Sequence, residues 1–310
     1  MSTDTGQVRV PCGRGEAGAE EMVLALAIAL AVVGALFIAV GSALQERVVV
    51  HTRLSGGQIR FLLRLLSESR WLWGGVLAGI GVVLHVIALS HGPVSIIQPV
   101  GTAGLLFAVV TKALLDRRPV TTRELVGSGA IIAGLAGLLS ALPHAPKDYR
   151  LPDGTALLLG LAALAATGFV VLVSWWVTTG SAKAVALALA AGGAFGVGSA
   201  LIGLIGHRTV QDPTAVLDWP TLVVVPILVL GGLSQQHAYR MRRFALVFAL
   251  LEVSDPVTAS AVGVLVLGEP MPDTVAKAAQ MGVAAFVIVL GVVVLAHSYT
   301  ALTSAEKDAP

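Results

Sequence analysis

The chain has 310 residues, of which 56% are hydrophobic and only 12% are charged. Soluble globular domains carry about 25% charged residues, so this composition offers too little polar surface for a soluble globule. The formal net charge of +2 is too small to indicate a nucleic-acid partner. A single cysteine, Cys12, excludes an intramolecular disulfide and shows no metal-ligand spacing. The composition therefore predicts an integral membrane protein.

Apolar stretches of about 20 residues, the length that crosses a bilayer as a helix, recur along the chain. There are nine of them, at residues 22–45, 71–90, 93–115, 124–142, 155–178, 182–206, 219–237, 244–267 and 276–297. Transmembrane β-strands would be about ten residues long with alternating polarity, whereas these runs are longer and continuous. We therefore predict an all-α integral membrane protein with about nine transmembrane helices.

The predicted spans divide the chain into four regions. Residues 1–21 form a polar N-terminal tail, which is either disordered or lies upstream of the true start at Met22. Residues 22–146 form a first transmembrane repeat of four helices, with a basic loop at 46–70. A second repeat of five helices covers residues 154–298, and residues 299–310 form a polar C-terminal tail.

Lys and Arg collect in alternate loops, which is typical of loops on the cytoplasmic side of a membrane. These residues are Arg47, Arg53, Arg60, Arg64, Arg70, Arg117, Arg118, Arg123, Lys183, Arg240, Arg242 and Arg243. The pattern predicts a multi-pass protein of the cell membrane, with the N-terminus outside and the C-terminus in the cytoplasm. The segment GGQIRFLLRLL at 56–66 is too basic to span comfortably, and we interpret it as an amphipathic surface helix. If it inserted, it would make a tenth helix and place the N-terminus inside.

Two stretches of the sequence resemble each other. IIQPVGTAGLLFAVVTKALLDRRP occupies residues 96–119, and EVSDPVTASAVGVLVLGEPMP occupies residues 252–272. Each places a polar residue before a proline, followed by small residues, an apolar half-span, a charged turn and another proline. The loop charges orient the first stretch from outside to inside and the second from inside to outside. This is the pattern of an inverted-topology repeat, here with four helices plus five.

Both stretches also resemble a known family of transporters. ALSHGPVSIIQPV at 88–100 resembles the start of the fourth helix in EamA-like proteins of the drug/metabolite transporter superfamily. QQHAYRMRRFALVFALLEVSDPVTASAVGVLVLGEPM at 235–271 resembles the matching unit of their second half, which ends in the Gly-Glu turn at Gly268 and Glu269. The first half departs from that pattern, because residues 116–118 read Asp-Arg-Arg where the turn would be.

The resemblance covers about residues 22–298 and implies a particular architecture and activity. The usual members of the superfamily have ten helices in an inverted five-plus-five arrangement. With nine helices, the layout of this chain resembles the NIPA-type branch, which is associated with magnesium transport. The segment LLSALPHAPKD at 138–148 also resembles the end of the first half in that branch. The resemblance therefore implies a transporter, with Mg²⁺ among its candidate substrates.

Glu252 and Asp255 are two carboxylates inside the apolar span at 244–267, with Ser254 between them. Ionisable residues at the middle of a span are costly and are functional candidates for that reason. Because they are three residues apart, the two carboxylates share a helical face. Pro256 removes a backbone donor and disfavours helical geometry at the preceding residue, which predicts a helix break that exposes carbonyls. The alternative is that Asp255 only caps a half-helix beginning at Pro256.

Gln98 and Pro99 are the counterparts of Asp255 and Pro256 in the first repeat. We predict a second helix break at Pro99 and a pore-facing amide at Gln98, with helix–helix hydrogen bonding as the alternative. His85 lies inside the second span and is a candidate proton relay. The alternative for His85 is a buried imidazole bonded to a carbonyl.

Polar side chains at the basic ends of the spans are predicted to lie at the membrane interface. This set comprises Ser42, Gln45, Glu46, Lys112, Gln235, Gln236 and His237. Lys112 is expected to extend its amine towards water. The residues Gln235, Gln236 and His237 either anchor the seventh span or line a vestibule.

The sequence contains no Walker loop, HExxH motif or nucleophile elbow, so we predict no enzymatic activity and no cofactor. We predict a transporter that moves a small molecule or a cation by alternating access, with Asp255 and Glu252 as candidate metal ligands. Proton coupling is an open alternative. A non-transporting partner of lipid or cell-wall enzymes is the alternative from another class, and a lipid enzyme is a third. The expected partners are the substrate, the lipid bilayer and, as an open alternative, a second copy of the chain.

Overall fold

The computed structural model describes residues 14–52, 57–92, 94–142, 153–174, 176, 180–211, 219–266, 271 and 274–307. Within these ranges the chain forms eleven α-helices and no β-strand. The helices are α1 (Arg14–His51), α2 (Gly57–Ser67), α3 (Ser69–His91), α4 (Val94–Thr102), α5 (Gly104–Leu115), α6 (Thr122–Ala141), α7 (Asp153–Val173), α8 (Gly180–Gln211), α9 (Trp219–Tyr239), α10 (Phe244–Leu265) and α11 (Val275–Lys307).

The described helices contain nine spans that are long and apolar enough to cross a membrane. They are Glu21–His51, Ser69–His91, Ile96–Leu115, Thr122–Ala141, Gly154–Val173, Gly180–Ile202, Thr221–Tyr239, Phe244–Leu265 and Val275–Ser298. Each falls on one of the predicted stretches, and α4 and α5 together make the third span. The prediction of an all-α, multi-pass membrane protein is therefore confirmed.

The segments predicted as polar tails are partly helical. α1 begins at Arg14, before Met22, and α11 continues past residue 298 to Lys307. Alanine, glutamate and lysine are good helix formers, so the apolar helices extend into these polar ends. The first 13 residues and residues 308–310 lie outside the described part of the chain.

The segment predicted as a surface helix forms α2, a helix of 11 residues. At 1.5 Å per residue it is about 17 Å long, whereas the hydrocarbon core of a bilayer is about 30 Å thick. These residues therefore do not make a tenth span. Phe61 and Leu65, one turn apart, are buried and fix α2 to the rest of the bundle.

Glycines allow α1 and α3 to cross with their backbones in contact. A Cβ added to Gly81 would lie 2.5 Å from the carbonyl oxygen of Gly34, and one added to Gly74 would lie 2.7 Å from that of Gly41. The two pairs occur in opposite order along the helices, so α1 and α3 are antiparallel. Small residues at crossings are the usual means by which membrane helices approach closely.

Close contacts at glycines also join two further pairs of helices. α6 and α11 are antiparallel and meet where Gly127 contacts Gly291. α8 and α10 are parallel, with Gly196 of α8 against the backbone of Asp255 in α10. Long spans rich in small residues therefore pack as closely spaced pairs within the bundle.

α10 is the central helix of the described bundle. Residues 244–251 are all buried and belong to a core shared with α1, α2, α5, α6, α8, α9 and α11. From Glu252 onward most residues of α10 are partly or fully exposed. The helix is thus enclosed at its beginning and open towards its end.

The basic turns of the chain meet at one end of the bundle, which we term the basic end. Arg47 donates a hydrogen bond of 3.1 Å from Nη1 to the carbonyl oxygen of Leu115, linking the end of α1 to the end of α5. The guanidinium carbon of Arg240 lies 5.1 Å from the ring centroid of Phe61, linking the α9–α10 turn to α2. These loops therefore share one side, as the loop charges predict, and the orientation of that side in the membrane stays a prediction.

Candidate acidic site in the central helix

Glu252 and Asp255 lie next to each other on α10, and both side chains are partly buried. Their charges are close enough to interact. Among the described residues, no Lys, Arg or His forms an ion pair with either carboxylate. Two like charges in a low-dielectric interior are costly unless a cation or a proton compensates them. The pair is therefore suited to binding a positive species.

The predicted helix break at Pro256 is wrong, because α10 is a single helix from Phe244 to Leu265. The local preference against helix before a proline is outweighed here by the surrounding helices, which hold α10 in place. Pro256 nevertheless has no N–H group, so the carbonyl oxygen of Glu252 lacks its helical donor. One backbone acceptor is thus left beside the two carboxylates without a break in the helix. The reading of Asp255 as a cap is wrong for the same reason.

Ser254 faces α8 rather than the exposed side of the acid pair. Its hydroxyl donates a 2.6 Å hydrogen bond to the carbonyl oxygen of Leu250, one turn earlier in α10. A Cβ added to Gly192 in α8 would meet this hydroxyl. Ser254 therefore contributes to helix packing, and its predicted role as a ligand stays a prediction.

The predicted helix break at Pro99 is wrong, because Pro99 lies inside α4, and the third span is interrupted only one turn later. α4 ends at Thr102 and α5 begins at Gly104, so the interruption falls on Ala103. The hydroxyl of Thr102 donates to the carbonyl oxygen of Pro99 over 2.7 Å. Gln98 and Pro99 are partly buried in the last turn of α4.

His85 of α3 packs against α4 close to this interruption. A Cβ added to Gly101 would meet ring carbon Cε1 of His85, so only glycine leaves room for the imidazole there. No hydrogen bond joins the ring to another described residue, so the alternative of an imidazole bonded to a carbonyl is not seen in this part of the chain. Its role as a proton relay stays a prediction.

The structure does not join the two halves of the predicted site by hydrogen bonds. Within the described ranges none connects Gln98 to Glu252 or Asp255, and α10 packs beside α5 and α6. The described residues also contain no group of three or more His, Cys, Asp or Glu that could hold a metal ion. A metal at the acid pair would need carbonyl oxygens and water as its other ligands, as Mg²⁺ commonly uses.

Aromatic side chains lie between the acid pair and the basic end. Tyr239, Phe244 and Phe248, which we term the aromatic seal, form a row with ring centroids 5.5 Å and 5.7 Å apart. Phe248 lies one helical turn before Glu252, a spacing from which the sequence could have suggested it. The Tyr239 hydroxyl is within electrostatic range of both Glu252 and Glu46. The seal therefore lies between the acid pair and the charged groups of the basic end.

Hydrogen bonds join α9 to α1 and α3 beside the seal, one helical turn before Tyr239. Trp71 donates from Nε1 to Oε1 of Gln236 over 3.2 Å, and Gln236 donates from Nε2 to Oε1 of Gln45, also over 3.2 Å. We term Gln45, Trp71 and Gln236 the polar latch. Gln236 is only 6% exposed, so its prediction as an interfacial anchor is wrong. Beside the latch, the ring of His237 stacks on Phe61.

Lys112 does not reach for the interface, which corrects its predicted role. Its Nζ lies 2.6 Å from Oε2 of Glu46 in α1 and 3.1 Å from Oδ1 of Asp116. The side chain of Glu46 is 1% exposed and that of Lys112 is 12% exposed. A buried carboxylate needs a compensating cation, and Lys112 supplies it. Glu46 is therefore neutralised, in contrast to Glu252 and Asp255.

The helices thus define a multi-pass membrane protein with a carboxylate pair in its central helix. No family model matches the chain, and no solved structure matches it. The chain is similar to "Uncharacterized protein Cgl0250/cg0304" of Corynebacterium glutamicum, with 26% identity over 287 residues. The similarity covers 89% of this chain and 96% of that protein.

Proposed function

We propose that the chain is a secondary transporter of the drug/metabolite type, which moves a cation or a small solute across the cell membrane by alternating access. The observation that carries the proposal is the pair Glu252 and Asp255, partly buried at the middle of α10 without a cationic partner among the described residues. In a stable bundle such a pair is costly, and binding of a cation or a proton offsets the cost.

Helix packing supports an inverted repeat of four helices plus five. α1 is antiparallel to α3 and parallel to α4 and α5, since Ala27 contacts Gly92 and Ala35 contacts Gly104. α8 is likewise antiparallel to α9 and parallel to α10. The equivalences are then α1 with α8, α3 with α9, α4–α5 with α10, and α6 with α11, which leaves α7 as the additional helix. Repeats of opposite orientation are typical of secondary transporters.

The asymmetry of α10 supports alternating access. Towards the basic end the acid pair is closed off by the aromatic seal and the polar latch, whereas α10 is open on the other side of Glu252. With the basic end in the cytoplasm, we take this asymmetry as the outward-facing state of the proposed cycle. The inward-open arrangement then requires α9 to separate from α1 and α3.

The substrate at the acid pair is proposed to be a cation, with Mg²⁺ as the first probe. One or two carboxylates with carbonyl oxygens and retained waters suit Mg²⁺, and the free carbonyl of Glu252 adds one oxygen. The same pair suits a proton exchanged for a small metabolite. A pH gradient alone should drive flux of a metabolite that is exchanged for protons, and it should not drive flux of Mg²⁺.

The test is a flux screen with the full chain in proteoliposomes. Mg²⁺, other divalent and monovalent cations and a panel of small metabolites are supplied with and without a pH gradient. Transport predicts flux above that of protein-free vesicles for at least one cargo. If no cargo moves and no cation shifts the melting temperature, the proposal is wrong, and a non-transporting membrane partner becomes the better interpretation.

A further inference from the structure

α2 presents three different faces at the basic end. Phe61 and Leu65 are buried against the bundle. Its outer faces carry two leucines, which are 57% and 52% exposed, and two exposed arginines: Leu63, Leu66, Arg60 and Arg64. Because a helix turns about 100° per residue, the two leucines lie on one side and the two arginines on the neighbouring side. The helix is therefore fixed to the protein on one side and offers an apolar and a cationic face on the others.

Cations from two other elements lie beside α2. The guanidinium of Arg240 covers the ring of Phe61 at 5.1 Å, and Phe61 in turn stacks on His237. Lys183, at the start of α8, and Arg240 both act electrostatically on His237. Partial burial lowers the pKa of the Arg240 guanidinium from its ordinary value, but a guanidinium stays charged in proteins.

The ion pairs of the described residues at this end do not include Arg60, Lys183 or Arg240. The described ion pairs engage Lys112 and Arg118. Arg60, Lys183 and Arg240 thus concentrate positive charge around Phe61. An anion at this position is attracted by three elements at once.

We propose that α2 and the α9–α10 turn bind the headgroup of an anionic phospholipid. Arg60 and Arg240 contact the phosphate, and Leu63 and Leu66 enter the acyl layer. A lipid fits better than a soluble anion because the cationic and the exposed apolar faces of α2 are adjacent, and a phospholipid satisfies both. Clusters of Lys and Arg at the end of membrane helices are recognised by anionic lipids in this way. The inference is independent of transport, because binding is measured without flux.

The test titrates phosphatidylglycerol into the full chain in detergent and follows bound lipid by native mass spectrometry. Removing one Arg from such a surface weakens binding about fivefold, so Arg60→Ala with Arg240→Ala is expected to weaken it about 30-fold. Arg123→Ala, an exposed arginine at the start of α6, is the matched control and should bind as the unchanged chain does. Arg60→Lys with Arg240→Lys keeps the charges and should retain most of the binding.

Three outcomes would overturn the proposal. One is equal binding by the double alanine variant and the unchanged chain. Another is equal affinity for phosphatidylcholine, which carries no net charge. The last is equal affinity for free glycerol phosphate, which would assign the site to a soluble anion. Arg60→Ala alone tests the patch if the double variant does not fold, because Arg60 is exposed.

Discussion

Glu46 and Glu252 are two glutamates of the same bundle whose surroundings give them different roles. Lys112 neutralises Glu46 across the α1–α5 contact. Glu252 has only another carboxylate, Asp255, as its charged neighbour on α10. The sequence identified Glu252 and Asp255 because a charge in the middle of an apolar span is a local signal. It did not pair Glu46 with Lys112, because the two residues are 66 positions apart and meet only through helix packing.

The Glu46–Lys112 pair predicts a loss of stability when one partner is removed. Lys112→Met leaves a carboxylate that is 1% exposed without its cation, which costs about 3–5 kcal/mol. The double variant Glu46→Gln with Lys112→Met removes both charges and should recover much of that loss. Thermal unfolding of the purified chain in detergent measures both. A double variant no more stable than Lys112→Met would show that the pair does not act as proposed.

At the scale of helices, the prolines of α4 and α10 show the limits of local sequence preferences. Pro99 and Pro256 both lie inside helices, and the one-residue interruption of the third span falls on Ala103, whose backbone keeps right-handed helical angles. The residue before a proline disfavours helical geometry because of a local steric clash, and this preference takes no account of packing against other helices. Buried neighbours on several sides hold α10 together, and that packing is not encoded in the ten residues around Pro256.

The contact between α8 and α10 gives a prediction with a control on the same helix. A Cβ at Gly196 would lie 2.5 Å from the carbonyl oxygen of Asp255 and 3.0 Å from the backbone nitrogen of Ala259. Backbone atoms cannot turn aside, so Gly196→Ala should separate the helices, cost about 1–3 kcal/mol and reduce transport. Gly193→Ala would meet only the Thr258 hydroxyl at 3.8 Å and should be neutral or slightly stabilising. Equal melting temperatures and equal flux for the two variants would contradict this packing.

At the scale of the molecule, the sequence predicted the nine spans and the clustering of basic loops, both of which the structure confirms for the described residues. Both predictions rest on averages over many residues, hydropathy over about 20 residues and Lys and Arg content over whole loops, so a single atypical residue does not change them. The aromatic seal and the polar latch were not predicted as units. Their members come from α1, α3, α9 and α10, and only the relative rotation of those helices brings them together.

The polar latch predicts how readily the basic end opens. Gln236→Ala removes two hydrogen bonds that tie α9 to α1 and α3, worth about 1–3 kcal/mol together. Gln280→Ala is the matched control, since it also removes two hydrogen bonds between helices, here from α11 to Gly137 and Ser140 of α6 at the opposite end of the bundle. A cysteine at Ala249, in a chain with Cys12→Ser, reports access from the basic end by its rate of thiol labelling. Gln236→Ala should label faster than Gln280→Ala, and equal rates would show that the latch does not hold that end closed.

The most direct test of the proposed function is flux through the acid pair itself. With the cargo found in the screen, Asp255→Asn and Glu252→Gln are compared with Glu68→Gln, an exposed carboxylate outside the spans. Removing one charge from a buried site costs about 1.5–3 kcal/mol of binding, so each site variant should lose about tenfold or more in uptake at limiting cargo. Glu68→Gln should transport normally. Uptake by the double variant Glu252→Gln with Asp255→Asn equal to that of the unchanged chain would contradict a transport role for the pair.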